Sequence, residues 1–250
     1  MAAFLTLTRR ELTGHFFSLR GYVVMAGVQL MLGASLLVTL HMLNRKAHDF
    51  PLTEKFPQTE FFWVVLLIIA PIITMRTFSH EKSIGTFETL MTTPIRDEQV
   101  VMAKFVGSYM FFLITFLPTL SYPFVLERYA HQPPAVEVWA VVSTGMGIAL
   151  IGAFFMALGC FVSSLTRNQT VAAVSTFALG TSVFFLGYLA QVRPSELNWS
   201  YSVFQHISML NHMSDFATGI VDTRQIVFYL SLTAVFLFLT LKSVESRRWK

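Results

Sequence analysis

The side chains that most invite a chemical reading are His206, His212 and Asp215, two imidazoles and a carboxylate within ten residues. The two histidines are six apart. On a helix of 3.6 residues per turn that is about 600° of rotation, so they do not share a face and make a poor metal site. No Ser/His/Asp set falls on one element, and no His-Glu-x-x-His pair occurs. A Gly-x-x-x-x-Gly-Lys-Ser/Thr loop is missing too, so the chain does not cradle nucleotide phosphates by that device. The single cysteine, Cys160, offers neither a disulfide nor a thiolate metal framework. The richest remaining segment is Met75–Ile95, where Glu81, Lys82 and Glu88 alternate with Ile84, Phe87, Leu90 and Met91. Ile84, Phe87 and Met91 fall on one helical stripe, with Leu90 beside it and the charges around it. Thr92-Thr93-Pro94 ends this helix, because the residue before proline avoids the α region. Asp97 is read as the cap of a second helix, with Glu98 in its first turn. The expected product is a rigid hairpin whose mixed apolar and charged face docks in a groove on a partner. An ordinary amphipathic connector is the other reading.

Such a segment needs elements to hold it, and composition says what they are. The chain has 250 residues, of which 13% are charged and 54% hydrophobic, with 25 phenylalanines and a mean hydropathy of +0.59. Soluble domains carry roughly 25% charge, so this chain cannot cover a soluble surface. Disorder is excluded by the same apolar excess. Six stretches contain no Asp, Glu, Lys or Arg: Gly21–Asn44, Phe61–Met75, Phe105–Leu126, Val138–Thr166, Asn168–Val192 and Gln225–Leu241. A spanning helix needs about 20 apolar residues, and the runs are continuous rather than alternating, which excludes a β-barrel. The expected fold is therefore an all-α integral membrane protein forming one domain over 1–250. Its spans are expected at about 21–43, 58–77, 104–127, 137–165, 169–192 and 224–243. Of the 18 Lys and Arg, 12 fall on the side shared by the two termini and 6 on the other, which favours both termini inside.

Lesser features complete the reading. Leu5, Leu12, Phe16 and Leu19 recur at helical spacing, with Thr6, Arg9, Arg10 and Thr13 largely elsewhere on the wheel, so residues 2–20 suggest an amphipathic interfacial helix rather than a frayed tail. No cleavable signal peptide is expected, since the first apolar run begins at Gly21 and is too long for one. Gly145, Ala149, Ala153 and Ala157 form a small-residue ladder that lets helices approach closely. Pro71, Pro118 and Pro123 break or bend the second and third spans. Phe204, Ile207, Leu210, Phe216 or Ala217, and Ile220 suggest one or two short outer-face helices, either a lid or a plug at the lipid boundary. His41 reads as interfacial. With no charge deep in a span, an ion-coupled carrier is disfavoured.

The stretch Glu81-Lys82-Ser83-Ile84-Gly85-Thr86-Phe87-Glu88-Thr89-Leu90-Met91-Thr92-Thr93-Pro94-Ile95, followed by Lys104-Phe105, resembles the signature of ABC-2 type permeases. Their usual form is roughly Glu-x-x-x-Gly-Thr-Leu-Glu-x-Leu-x-x-x-Pro, then Gly-Lys. Here Phe87 stands for Leu and Ala103 for the Gly. Arg9-Arg10-Glu11-Leu12, Ser163–Thr170, Phe216–Thr223 and Glu245–Trp249 are similar to further family stretches in the same order. The nearest resemblance is to the gliding-motility-associated and nitrous-oxide-reductase-maturation permeases. It implies a multi-pass, non-catalytic subunit of a bacterial inner-membrane transporter, with export as its direction. The implied partners are two ABC ATPase subunits, a second permease chain (identical or homologous), the lipid bilayer and a periplasmic-domain membrane protein, with no nucleic acid. ATP and Mg would be bound by the ATPase, with no cofactor in this chain. The N-terminal helix would be a connecting helix. Glu81, Lys82, Gly85, Thr86, Phe87, Glu88, Leu90, Met91, Thr93 and Pro94 would form the coupling segment, with Glu81, Lys82 and Glu88 orienting the partner by charge and Gly85 allowing close approach. A membrane anchor or assembly subunit without transport of its own is the alternative.

Overall fold

A computed structural model describes residues 2–45, 59–87, 95–129, 136–192 and 206–248. The readings of the loops over 46–58, 130–135 and 193–205, and of residues 88–94, lie outside these residues. Every described element is helical. In chain order they are α1 (Ala2–Phe16), α2 (Leu19–Arg45), α3 (Glu60–Thr74), α4 (Ser79–Ser83), α5 (Asp97–Phe116), α6 (Tyr122–Tyr129), α7 (Val138–Leu165), α8 (Gln169–Val192), α9 (Met209–Ala217) and α10 (Thr223–Arg248). Six helical stretches are long and apolar enough to cross a membrane: Leu19–His41, Phe61–Ser83, Asp97–Tyr129, Val138–Leu165, Gln169–Tyr188 and Thr223–Ser246. We number them spans one to six.

Span four (α7) is the hub. In its most apolar stretch 83% of residues are buried inside the protein, against 22% in spans one and five and 17% in span six. Helices approach it closely because it carries glycine where neighbours press. A Cβ on Gly152 would lie 2.1 Å from Phe112 of α5, and one on Gly159 would lie 2.0 Å from the Thr74 hydroxyl of α3. One on Gly145 would meet Leu120 at 3.2 Å. These glycines recur every seven residues, which keeps them on one face. The intimate stripe is thus Gly145, Gly152 and Gly159, a different register from the Gly145/Ala149/Ala153/Ala157 ladder. Ala153 and Ala157 of that ladder are nonetheless buried.

Proline acts as expected in span three. The helix stops at Phe116, tightens to a 3-10 turn over Leu117–Ser121 with Pro118 in its first turn, and resumes as α6. Beside this break Gln29 of span one donates to the Thr115 carbonyl at 2.5 Å. Tyr122 donates to the other end of the same Gln29 amide at 3.1 Å. Pro71 stays inside α3, four residues before the Met75 N–H that bonds its carbonyl.

On the face opposite the chain termini, α9 packs Met209, His212, Met213, Phe216 and Ala217 inward. It ends in a Schellman turn: Gly219 takes φ +86°, its N–H bonds the Phe216 carbonyl, and the Ile220 N–H bonds that of Asp215. Trp139 donates to the Gly219 carbonyl at 2.9 Å and ties the turn to span four. Ile220 is exposed, outside the packed face. His212 lies 3.0 Å from the Tyr229 hydroxyl, and Asp215 accepts from Gln225 at 2.6 Å, so the two point to separate partners.

One local expectation changes, and the N-terminal helix is defined more closely. Arg96, not Asp97, holds the N-cap position of α5, and Asp97 joins Glu98 inside the first turn. The N-terminal helix ends at Phe16, and Leu19 opens span one. Its protein-facing side carries Thr8, which is buried, and His15 and Phe16, which contact Phe111 of α5, while Leu5 and Leu19 are exposed on the outside, where an interfacial helix meets lipid. The helix is held by a mixed polar and aromatic stripe against span three.

Candidate functional site

The Met75–Phe87 segment leaves α3 by a turn and forms the short helix α4. The helix cannot continue along the expected stripe, because Gly85 takes φ +79°, the left-handed region that glycine enters without strain. A Cβ there would meet nothing within 4 Å, so within this chain Gly85 serves a change of direction. The chain re-enters helix at Thr86 and Phe87. Ile84 and Phe87 therefore diverge: Ile84 is 58% exposed, whereas Phe87 is buried. Thr86 is exposed and its hydroxyl reaches the Glu81 carbonyl at 3.5 Å. Glu88, Leu90, Met91, Thr93 and Pro94 lie outside the described residues.

Glu81 and Lys82 point into the protein. One Glu81 carboxylate oxygen lies 2.9 Å from the Lys104 ammonium of α5 and 3.1 Å from the Arg10 guanidinium of α1. The same two cations hold Glu11 of α1, at 3.0 Å and 3.2 Å. Two carboxylates and two cations thus form a closed square joining α1, α4 and α5. Its members are unequal. Arg10 is half exposed and contributes little. Lys104 is 3% exposed, so its two carboxylate partners keep a buried charge compensated. Lys104 also sits 5.5 Å from the centre of the Phe78 ring, a cation–π contact.

Burial alone would raise the Glu11 carboxyl, but Lys104 and Arg10 outweigh it and hold Glu11 below its ordinary value. Burial also holds His15 below its ordinary value, with Lys104 adding to the effect and Glu11 opposing it. Close approach makes this possible: a Cβ on Gly107 would lie 2.7 Å from the Glu11 Cβ, so only glycine lets α1 settle there.

Lys82, also buried, donates to the Ser164 carbonyl at the C-terminal end of α7, where a cation suits the helix dipole. The same ammonium lies 5.1 Å from the centre of the Phe87 ring. Ser243 of span six shares the Ser164 carbonyl at 3.3 Å. His80 contacts Gln169 of span five at 2.9 Å and Arg76 at 3.3 Å. One five-residue helix thereby touches spans three, four and five and the N-terminal helix. Glu11, Arg10 and Ser163–Ser164 were visible only as motif fragments. With so few acids in the chain, an isolated Glu11 facing the start of a span was the signal that it needs a buried cation.

The six apolar helices packed around span four are those of a multi-pass, all-helical membrane protein. The model of the family described as ABC-2 family transporter protein matches residues 24–248. The chain belongs to that family, and it is a permease of the ABC transporter class, whose members work in the membrane with an ABC ATPase. A search among curated proteins finds no match to the chain.

Proposed function

We propose that this chain is the permease subunit of an ATP-driven exporter in a bacterial inner membrane, and that residues 76–96 carry the ATPase's motion into the spans. The supporting observation is the Glu81 carboxylate, tied at 2.9 Å to span three and at 3.1 Å to the N-terminal helix. A segment merely linking two spans needs no such anchorage. One that must tilt helices as a rigid body does. In this reading Ser83, Ile84, Gly85 and Thr86 form an exposed apex for the partner, and Glu88, Leu90, Met91, Thr93 and Pro94 take part in the same coupling role. Phe87 and Lys82 brace the apex from inside, and Glu81 anchors its base.

Both termini face the cytoplasm, following the basic residues. Two ATPase copies bind ATP and Mg and perform hydrolysis, and this chain catalyses nothing. A second permease chain, identical or homologous, completes the pathway. A periplasmic-domain partner would receive force or substrate on the other side, as in the resembling subgroup. The test is Glu88→Arg in the complex reconstituted with its ABC ATPase. Expected is loss of permease-dependent stimulation of ATP hydrolysis with the spans still folded. Undiminished stimulation would remove the coupling role.

A further inference from the structure

We infer that the C-terminal end of span four receives the displacement of the coupling segment, and that Ser163 is the residue that positions the segment for it; the inference rests on the coupling role proposed above. The starting point is a helix that cannot cap itself. The first N–H groups of any helix lack intrahelical acceptors, and a Ser, Thr, Asp or Asn side chain at the N-cap normally supplies one. The N-cap of α4 is Phe78, which has no acceptor. The Ser163 hydroxyl of span four fills that place from 85 positions away, accepting from the Phe78 N–H and the Ser79 N–H at 3.1 Å each. It donates its own proton to the Met75 carbonyl at 3.2 Å. A hydroxyl has one donor and two acceptor lone pairs, so all of its capacity is spent on this turn. Ser163 is fully buried, so water cannot substitute for it.

One residue on, the Lys82 ammonium is bonded to the Ser164 carbonyl. The segment is therefore fastened to span four at both ends of α4, first through the cap and then through Lys82. Span four is the most enclosed of the six spans. Whatever moves its end moves the neighbours pressed into its glycine notches, and Ser243 on the same Ser164 carbonyl extends the connection to span six. The ion-pair square reaches span three only, so it does not by itself explain how a push at the apex is distributed.

The experiment uses the full chain in complex with its ABC ATPase in lipid nanodiscs, with a fluorophore on a cysteine placed either at Thr86 or at Val138. Thr86 is at the exposed apex, Val138 at the exposed far end of span four, and native Cys160 is buried. In the wild-type background, ATP is expected to shift the emission of both labels. In Ser163→Ala the Thr86 response is expected to persist while the Val138 response is lost. If Ser163→Ala does not fold, Lys82→Met removes the second fastening and carries the same expectation. A wild-type Val138 response in either folded variant overturns the role of span four. A Thr86 label that ignores ATP in the wild type overturns the coupling role itself, which separates the two failures.

Discussion

Lys104 is the residue on which the candidate site turns, because it is the buried cation between two carboxylates that otherwise repel each other. Replacing it by Met leaves Glu11 and Glu81 adjacent with only the half-exposed Arg10 between them. Breaking a buried ion pair by removing one partner costs about 3 kcal/mol or more. Lys104→Met should therefore lower the unfolding temperature in detergent markedly. The triple variant that adds Glu11→Gln and Glu81→Gln should recover most of the loss; a triple variant as unstable as the single one would show that charge compensation is not the cause. The same cluster sets a pH dependence. Glu11 and His15 are both held below their ordinary values, so both bind more protons once α1 is released than while it is docked. Docking of α1 against Phe111 and Lys104 is thus strongest above the ordinary values. It weakens as the pH falls below about 6.5 through His15, and again below about 4 through Glu11. Proteolytic sensitivity of residues 2–16 should rise on acidification in that order, and sensitivity that is flat with pH would contradict the assignment.

Among the elements, the spans were legible because a charge-free run of 20 residues has one stable form in lipid, and the proline break in span three was legible because Pro118 cannot donate. The packing between spans was not. Sequence shows that span four is rich in small residues, but not which of its faces meets Thr74 or Phe112, since that depends on where helices distant in sequence cross it. Gly159 gives the sharpest test. Thr74 is fully buried and the added methyl would overlap its hydroxyl and Cβ, neither of which has space to withdraw. Gly159→Ala should destabilise the fold by about 1–3 kcal/mol, seen as a lower unfolding temperature, whereas Gly33→Ala, with open space around its Cβ, should not. The segment after α3 departs from the simple helical reading for a local reason. The periodic stripe through Ile84, Phe87 and Met91 was real as a pattern, yet one glycine at φ +79° turned Ile84 outward and Phe87 inward. A pattern of apolar residues does not report a glycine's choice of backbone region.

For the whole molecule, the scarcity of charge is what joins structure to mechanism. The two buried lysines, Lys82 and Lys104, and the carboxylates Glu11 and Glu81 gather around one short segment at the end of the bundle that carries both termini. Under the proposed function the driving energy comes from the ABC ATPase, and the exposed residues Ile84 and Thr86 would face that partner. The direct measurement is a site-specific photo-cross-link from residue 84 or 86, incorporated into the full chain co-expressed with its ABC ATPase, with the adducts mapped by mass spectrometry. The account predicts cross-links from both positions into the ATPase subunit, and none from Val138 or Trp139 on the opposite face. Cross-links to the ATPase from the opposite face, or a stable complex in which residues 84 and 86 give none, would contradict it.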